Sequence, residues 1–387
     1  MTFLFWCSLG LLLYTYAGYP VLVWALARLV GAETRDRRQE TGDRGQGTGE
    51  RDLPTVSLLL PAYNEEAYIE AKLRNSLALD YPSDRLEIVV ASDGSTDRTN
   101  ARAAAFAARG VKLLAFPHRG KSATINDAVP RLRGEILVFS DATIELEPDA
   151  LRTLVRHFHD PSVGCVSASY RLRRSGDLRG EGEGLYWRYE TFIKRQESRL
   201  HSVLGAHGPC YAIRAALFEP LGAQEINDDY LIPMRIVARG HRAVYEPEAV
   251  AWEPELVSVA GEFARRRRIA AGNCQQLVEL RRLLNPLRGW TALCFFSHKA
   301  LRTVAPVLLA ILLVLSLWLP APWSALALLP QGLLYGSALA GYWCQRRGRN
   351  VRWLAPPLYF CLGNLAMLAG CVRFCFARDR LVWERAR

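Results

Sequence analysis

The sequence predicts an α/β domain with a mostly parallel sheet, held between membrane-spanning helices. Three observations predict it: short apolar runs alternate with stretches of helical spacing between residues 56 and 139, long uncharged runs lie near both ends, and acidic residues follow three of the predicted strands. Half of the 387 residues are hydrophobic, which excludes a disordered protein. The uncharged runs reach the roughly 20 residues that cross a bilayer as a helix, so they argue against a wholly soluble protein.

The first uncharged run covers residues 3–27 and predicts an N-terminal transmembrane anchor at 1–30. It is too long for the apolar core of a signal peptide, and no Lys or Arg precedes it. Because positive charges begin only at Arg28, and cytoplasmic flanks are rich in Lys and Arg, we expect the chain after Arg28 to be cytoplasmic. The Gly-rich, nearly charge-balanced segment 31–52 is predicted to be a flexible linker.

The C-terminal part predicts about three further transmembrane helices within residues 303–375. Residues 303–345 are long enough for two spans, and 354–372 for a third. The aromatic and basic segment 290–302 is predicted to be a helix lying in the membrane interface, and 376–387 is a basic tail. A basic loop before the last run and further arginines after it cannot both be cytoplasmic if that run crosses, so the number of crossings stays open.

Residues 53–289 are predicted to form one cytoplasmic domain in which strands and helices alternate. Apolar runs predict strands at 56–60, 87–91, 111–116 and 136–139, and helical spacing predicts helices at 66–77, 101–108 and 122–132. This alternation favours a mostly parallel sheet with helices on both faces. Ligands bind beyond the carboxyl ends of the strands in such sheets, so the residues at those ends are candidates for a site.

Carboxylates follow three of these strands. Glu65 follows the first, Asp93 ends the second, and Asp141 follows the fourth. Such a rim of acids suits hydrogen bonds to a base and ribose, and a divalent cation that holds phosphates. Asp97, which lies just before a predicted helix, is interpreted as a helix cap.

Gly120-Lys121-Ser122 opens a predicted helix and raises the alternative of a phosphate-binding loop. The full motif needs a glycine five residues before Gly120, where the chain has Ala115, and this excludes it. Lys121 at a helix start still suits a diphosphate, since helix N-termini attract anions. The competing interpretation is a solvated surface lysine.

The nine cysteines and the net charge of +11 point to a membrane protein of a reducing compartment. The cysteines show no C-x-x-C spacing and fit small buried side chains better than a disulfide framework. Arginines border the apolar runs, so the basic excess suits membrane orientation and an acidic substrate better than nucleic acid.

Several segments together resemble a family 2 glycosyltransferase. The segments 61–65 (PAYNE), 92–97 (SDGSTD) and 119–128 (RGKSATINDA) resemble that family's motifs in order. The resemblance covers about residues 54–285 and implies a Rossmann-like nucleotide-diphospho-sugar transferase domain, the A-type glycosyltransferase fold. With the flanking helices, the chain is similar to membrane-anchored polysaccharide synthases and processive glycosyltransferases.

The resemblance also implies roles for individual residues. It places a nucleotide-sugar against Pro61, Tyr63, Glu65, Asp93, Lys121, Asp141 and Arg268. Asp141 matches the first acid of the D-x-D metal motif, although Thr143 stands at the third position. A magnesium or manganese ion is therefore implied, with Asp141 as its protein ligand, because magnesium takes only one or two carboxylates.

Two later motifs imply the catalytic residues and the acceptor side. Residues 205–214 resemble the glycine-rich acceptor-side loop, and Asn227-Asp228-Asp229 resembles the motif whose last acid is the general base. Asp228 and Asp229 are therefore the predicted catalytic pair, with a helix cap as the competing interpretation. Arg268 matches the arginine of Q-x-x-R-W while both ends of that motif differ, so a lipid-facing basic surface is the alternative for this segment.

The resulting expectation is an inverting hexosyltransferase of the inner or plasma membrane, multi-pass, with a cytoplasmic catalytic domain. It would move a sugar from a nucleotide-sugar, favoured as a UDP-sugar, to a growing polysaccharide or a lipid-linked acceptor. One alternative is a transferase that makes a single glycolipid by one addition. Another is a catalytically silent nucleotide-binding subunit of a polysaccharide export complex, against which the presence of Asp93, Asp141 and Asp229 argues.

Overall fold

The structure, a computed structural model, describes residues 1–42, 53–172, 178–222, 225–253, 259–349 and 351–376. Within these residues an eight-stranded mixed sheet is flanked by helices, and long helices from both ends of the chain pack beside it. In sheet order the strands are β3 (Val111–Phe116), β2 (Leu86–Asp93), β1 (Val56–Ala62), β4 (Ile136–Ser140), β7 (Cys210–Arg214), β6 (Val163–Leu172), β8 (Arg242–Glu253) and β5 (Glu145–Leu146). The fold places the carboxyl ends of the first strands close to the long helices, and this junction forms the site.

The first four strands confirm the predicted alternation. They are β1 (Val56–Ala62), β2 (Leu86–Asp93), β3 (Val111–Phe116) and β4 (Ile136–Ser140), all parallel where they pair. The helices between them are α3 (Ile69–Leu77), α4 (Thr99–Ala104) and α5 (Lys121–Ala128). Strand β1 runs past Pro61, which was expected to end it. Its pairing with β4 stops at Leu59, so the missing N–H of Pro61 interrupts no bond to that neighbour.

The second half of the sheet was not predicted and is partly antiparallel. It contains β5 (Glu145–Leu146), β6 (Val163–Leu172), β7 (Cys210–Arg214) and β8 (Arg242–Glu253). Strand β7 lies antiparallel to both β4 and β6. Helices α6 (Ala150–Val155), α7 (Leu178–Leu200) and α8 (Asp228–Ala238) complete this half. The sheet is therefore mixed, with the expected parallel part at one side.

Alternate residues of the strands form hydrophobic cores on the two faces of the sheet. Leu58 and Leu60 of β1 belong to one buried cluster, while Leu59 between them belongs to the other, as the two-residue period of a strand requires. The cluster on the Leu59 side also contains Tyr19 and Val23 of the N-terminal helix. The anchor and the sheet therefore share one core.

The long helices agree with the predicted membrane segments at both ends. The N-terminal pair α1 (Thr2–Leu13) and α2 (Tyr19–Gly42) is joined by a π-helical turn, and α9 (Val259–Glu279) precedes the C-terminal helices. These are α10 (Trp290–Cys294), α11 (Leu301–Ser316), α12 (Trp323–Arg346) and α13 (Ala355–Phe376). Within the described residues, three segments are long and apolar enough to cross a membrane: Thr2–Val30, Trp290–Ser316 and Arg352–Phe376. All three predicted C-terminal helices form, and two of them meet this criterion.

Two predicted boundaries fall inside continuous helices. Residues 290–302, expected as a separate interfacial helix, pass through a π-helical turn at Phe295–Ala300 straight into α11. Helix α2 extends to Gly42, so the first part of the predicted linker is helical, while 43–52 lies outside the described residues. Placement of 290–302 in an interface stays a prediction, and all but the first residue of the basic tail 376–387 is outside the described part.

Candidate active site

A cavity of about 710 Å³ lies beyond the carboxyl ends of β1, β2 and β4. It extends from these strand ends to residues of α11 and α13, two helices apolar enough to span a membrane. Every predicted site residue lines it: Pro61, Tyr63, Glu65, Asp93, Lys121, Asp141, Asp228, Asp229 and Arg268. The fold thus brings together residues that are up to 207 positions apart between Pro61 and Arg268, while their individual roles stay predictions.

Asp93 at the end of β2 organises the loop that precedes α5. Its buried carboxylate accepts hydrogen bonds from the backbone N–H groups of Arg119 (2.8 Å) and Gly120 (3.0 Å), and it lies 2.9 Å from Nδ1 of His118. The amides of a phosphate-binding loop would point at a phosphate, whereas these point at a protein carboxylate. The structure therefore agrees with the exclusion of that loop, and it gives Asp93 a structural task besides its predicted contact with the nucleotide.

The strand-end loops of β1 and β2 are tied together by side chains of the PAYNE segment. Asn64 has a left-handed backbone (φ 54°), and its Oδ1 accepts the backbone N–H of Thr96 at 2.8 Å. Tyr63 stacks on His118 with ring centroids 4.2 Å apart and planes 14° apart. Asp97 Oδ1 accepts the backbone N–H of Thr99, the first residue of α4, but the cap position itself belongs to Arg98, so Asp97 supports the helix start from one residue outside the predicted cap position.

Lys121, the first residue of α5, bridges two carboxylates. Its Nζ lies 3.2 Å from Oδ1 of Asp141 and 3.3 Å from Oδ1 of Asp228. Burial alone would lower the pKa of Lys121, but Asp141, Asp228 and Asp229 outweigh it and raise the pKa above its ordinary value. The lysine is therefore a permanent cation inside the cavity, and the interpretation as a solvated surface lysine is wrong.

Asp228 and Asp229 occupy the first turn of α8, and neither caps the helix. The cap position belongs to Asn227, which has φ 61° and donates from Nδ2 to the carbonyl of Ile269 on α9 at 3.1 Å. A β-carbon at Gly272 would lie 2.4 Å from that amide nitrogen, so the start of α8 sits directly against α9. This contact fixes where the two aspartates point into the cavity.

The environment of Asp229 suits a proton acceptor. Burial, followed by the neighbouring charge of Asp228, raises the pKa of Asp229 to about 6, although Lys121 partly offsets the effect. A β-carbon at Gly208 would lie 2.7 Å from Oδ2 of Asp229. Glycine at that position therefore keeps open the space in front of the carboxylate.

Arg268 on α9 reaches the same cavity. Burial and then the charge of Arg265 lower its pKa, while the aspartates of the site raise it. Its Nε has no hydrogen-bond partner among the described residues. A buried guanidinium with an unused donor beside three aspartates is suited to an anionic ligand, which favours the cavity over a lipid-facing surface for this residue.

One part of the cavity wall, formed by α7 and the helix that leads into α11, was not predicted from the sequence. Glu190 of α7 pairs with Arg302 and lies 3.3 Å from Nε2 of His298, whose Nδ1 donates to Glu197 at 2.6 Å. Glu197 also accepts the hydroxyl of Tyr19 from the N-terminal helix at 2.6 Å. Ionisable residues within an apolar span are a recognised sign of function, and this signal was present at 298–302.

The donor set near Asp141 fits a hard divalent cation. Among the described residues no group of three or more His, Cys, Asp and Glu side chains forms a ready metal cage. However, the side chain of Asp141 is 42% exposed in the cavity, although one of its oxygens already lies 3.2 Å from Nζ of Lys121. Magnesium and manganese prefer oxygen ligands, and magnesium takes one or two protein carboxylates together with phosphate oxygens and water. The residues present are compatible with such an ion.

Comparisons with known proteins identify relatives over most of this domain. The family model described as Glycosyl transferase family 2 matches residues 57–222. A probable glycosyltransferase of Bacillus subtilis, YdaM, is 27% identical over 57% of this chain and 56% of its own length. The beta-monoglucosyldiacylglycerol synthase of Synechocystis is 24% identical over 86% of this chain and 74% of its own. A poly-beta-1,6-N-acetyl-D-glucosamine synthase of Staphylococcus aureus is 26% identical over 59% of this chain and 56% of its own.

A solved structure shares the fold over nearly all of this chain. The mannosyltransferase PcManGT from Pyrobaculum calidifontis, solved in complex with GDP-Man and Mn2+, superimposes with a TM-score of 0.70 at 24% sequence identity. The superposition covers 97% of this chain and 100% of that chain. The likeness includes the long helices at both ends as well as the sheet. By contrast, the chain spans little more than half the length of two of the sequence relatives.

Proposed function

Since residues 57–222 match the family model of the family 2 glycosyltransferases, we propose that the protein is an inverting hexosyltransferase acting at a membrane. It moves a sugar from a nucleotide-sugar, in the first instance a UDP-sugar, to a hydroxyl of a saccharide or lipid-linked acceptor. One observation carries the proposal: Asp229, with a pKa of about 6, lies in the same cavity as the Asp141–Lys121–Asp228 cluster. A base and an anion-binding cluster in one cavity are what transfer from a diphosphate requires.

Asp229 acts as the general base. It takes the proton of the acceptor hydroxyl while that oxygen attacks the anomeric carbon of the donor. A carboxylate whose pKa is close to the working pH is largely ionised and is still basic enough to take a proton. Such a general base typically accelerates a reaction 10²–10⁴-fold. Attack from the face opposite the leaving diphosphate inverts the anomeric centre.

Lys121 and Arg268 stabilise the negative charge that grows on the diphosphate as the bond to the sugar breaks. Lys121 stands at the N-terminus of α5, where the backbone also favours an anion. Asp141 would hold a magnesium or manganese ion, which supplies Lewis-acid stabilisation of the same charge when bound. At the other end of the cavity Tyr63, stacked on His118, offers its ring to the base of the nucleotide, beside Glu65.

The proposed location is the cell membrane, with the catalytic domain in the cytoplasm. Three helices are long and apolar enough to cross a bilayer, and the first is followed by basic residues from Arg28 onward. Single addition to a lipid is the second candidate, because the glycolipid synthase relative matches 86% of this chain, against 59% for the polysaccharide synthase relative.

The test is release of nucleoside diphosphate by the detergent-purified full chain. A panel of UDP- and GDP-sugars is supplied with membrane lipids and oligosaccharides, with magnesium, manganese or EDTA. We expect turnover with one donor that is lost in EDTA and reduced at least 10²-fold in Asp229→Asn. Asp141→Asn should raise the metal concentration needed for half-maximal rate. Trp353→Ala, a change at a residue 73% exposed and outside the cavity, is the matched control.

The outcomes separate the candidates. Sizing the product distinguishes a polymer from a singly glycosylated lipid. Normal transfer by a folded Asp229→Asn variant would refute the base assignment. Donor binding without turnover under every condition would favour a silent nucleotide-binding subunit.

A further inference from the structure

One wall of the cavity carries rings that the proposed chemistry does not use. Trp187 of α7 and His207, in the loop before β7, both line the cavity, with ring centroids 5.4 Å apart and planes 86° apart. His207 immediately precedes Gly208, whose added β-carbon would lie 2.7 Å from Oδ2 of Asp229. The two rings therefore border the space next to the general base.

Each of the two rings has one nitrogen that makes no hydrogen bond to another described residue. Nε1 of Trp187 and Nε2 of His207 are buried, and neither has a hydrogen-bond partner within the described part of the chain. The large majority of buried polar side-chain atoms in proteins are paired, so each exception needs an explanation. Two such atoms on adjacent rings of one cavity wall indicate that a ligand supplies the missing partner.

The chemistry of His207 indicates a neutral hydroxyl ligand. Burial, aided by the charge of Lys194, lowers the pKa of His207 to about 3, so the ring is uncharged at physiological pH. Its Nδ1 lies 3.2 Å from the carbonyl of Ala168 and 3.3 Å from the backbone N–H of Tyr170. Nδ1 can therefore be donor or acceptor, with Nε2 taking the opposite role. A hydroxyl group pairs with either form, whereas a phosphate gains no charge attraction from a neutral ring.

The cations at the membrane end of the cavity have protein partners. Nζ of Lys299 donates to Oδ1 of Asn273 at 2.7 Å and lies 3.5 Å from the ring centroid of Tyr230. Arg302 pairs with Glu190. A bare lipid phosphate could bind Lys299 or Arg302 only by displacing these contacts. The wall at Trp187 is therefore more complementary to an acceptor than the paired cations are.

We propose that Trp187 and His207 form the subsite for the sugar ring of a glycosylated acceptor and present one of its hydroxyls to Asp229. This inference rests on the proposed function. An indole combines an apolar ring, which can pack against the C–H groups of a pyranose, with an N–H that, like the imidazole, bonds to a hydroxyl. The ring of Trp187 also packs on Tyr170 and Tyr186, with centroids 4.5 and 5.4 Å away, so the sugar would meet the part of the indole that lines the cavity. The cavity also reaches Thr303 on α11 and Met367 on α13, so a lipid attached to the sugar can continue towards the bilayer.

The test measures acceptor and donor parameters separately on the full chain. Acceptors are a monoglucosyl-diacylglycerol, a short β-linked oligosaccharide, plain diacylglycerol and undecaprenyl phosphate, each with the donor identified by nucleoside diphosphate release. We expect Trp187→Ala to raise the KM for sugar-bearing acceptors at least tenfold and Trp187→Phe, which keeps a ring, to raise it less. His207→Phe should also raise this KM. The donor Kd and the slow hydrolysis of the donor by water should stay within twofold, as they should in Trp353→Ala.

Each result bears on the inference. An acceptor KM in Trp187→Ala within twofold of the unmodified protein would overturn it while leaving the proposed function standing. A parallel loss of donor binding would assign Trp187 to packing instead. Transfer only to diacylglycerol or undecaprenyl phosphate would show the acceptor class to be wrong. Absence of donor binding and turnover in the unmodified protein would overturn the proposed function and this inference together. Comparing transfer to monoglucosyl-diacylglycerol with transfer to the oligosaccharide shows whether the acceptor sugar belongs to a glycolipid or to a saccharide chain.

Discussion

If Asp229 is the general base, as proposed, the charge of Asp228 should control the acid limb of activity through Asp229. Asp228 is the largest nearby charge that raises the pKa of Asp229, after burial itself. Replacing Asp228 with Asn keeps the shape of the side chain and removes that charge. Because Asp229 must be ionised to accept a proton, activity should be full above its pKa and fall as the pH drops through it. The substitution should therefore move the acid limb to lower pH.

The magnitude follows from the pKa of Asp229. A value of about 6 against the ordinary 3.8 corresponds to roughly 3 kcal/mol that disfavours the ionised form in the folded protein. Removing the charge of Asp228 lowers this pKa towards its ordinary value. With a pKa of about 6, only about one tenth of Asp229 is ionised at pH 5. Relative to the plateau, activity at pH 5 should therefore increase several-fold, with about tenfold as the upper limit, even if the plateau itself is lower.

The assay is kcat/KM for sugar transfer between pH 4.5 and 9, normalised to each variant's own plateau. Normalisation separates the position of the limb from any loss of donor affinity caused by freeing Lys121 from Asp228. Trp353→Ala, a change outside the cavity that leaves both aspartates in place, serves as the control and should leave the limb in place. A limb in Asp228→Asn that coincides with that of the unmodified protein would refute the reasoning, as would a limb that moves in Trp353→Ala.

Three further changes test the packing of the site. Gly208→Ala should cut kcat roughly 10²-fold without lowering Tm, because the new β-carbon displaces the Asp229 carboxylate, and comparing transfer rates with thermal unfolding checks this. Glu190→Gln should destabilise the protein by about 3–5 kcal/mol, because it leaves a buried arginine of α11 without its counter-ion, and this would appear as a fall in Tm of several degrees. Mild oxidation should link Cys274 to Cys371, whose Sγ atoms are 3.0 Å apart, and thereby join α9 to α13 in a cross-linked peptide detectable by mass spectrometry.

Matched controls exist for each of these changes. Gly332→Ala, in α12, places its β-carbon in open space and should leave kcat unchanged. Glu70→Gln removes an exposed carboxylate of a surface pair and should hardly affect Tm. Cys274→Ser should abolish the cross-link, and persistence of the linked peptide would show that another pair reacts. Normal kcat in Gly208→Ala or an unchanged Tm in Glu190→Gln would contradict the corresponding packing argument.

The parallel half of the sheet and its acidic rim could be predicted because both depend on local patterns. Apolar runs ended by turns indicate strands, and parallel strands place their carboxyl ends at one edge, so Glu65, Asp93 and Asp141 converge. Strand β7 was missed because its five residues follow a glycine-rich segment that resembled a loop. Its antiparallel pairing depends on β4 and β6, which are distant in sequence.

The wall of the cavity formed by α7 and the C-terminal helices could not be predicted in the same way. Trp187 and Glu190 belong to no motif, and their neighbours come from segments that only tertiary packing brings near. The basic residues of 298–302 carried a readable signal, since charges in an apolar span rarely lack a task. They were interpreted instead as the polar side of an interfacial helix, because the continuity of 290–316 as one helix was not evident from composition.

If the N-terminal helix crosses a membrane, as proposed, its contact with the sheet constrains the protein's height above the bilayer. Tyr19 and Val23 lie in the same buried cluster as Leu59 of β1, and the Tyr19 hydroxyl bonds to Glu197 of α7. An anchor that shares the core of the domain it carries cannot act as a tether that lets the domain swing. The bilayer then becomes a fixed reference plane, and successive acceptors that emerge from it meet Asp229 at one depth and in one orientation. Regioselectivity of transfer would in that case be set partly by the distance of the acceptor hydroxyl from the membrane surface.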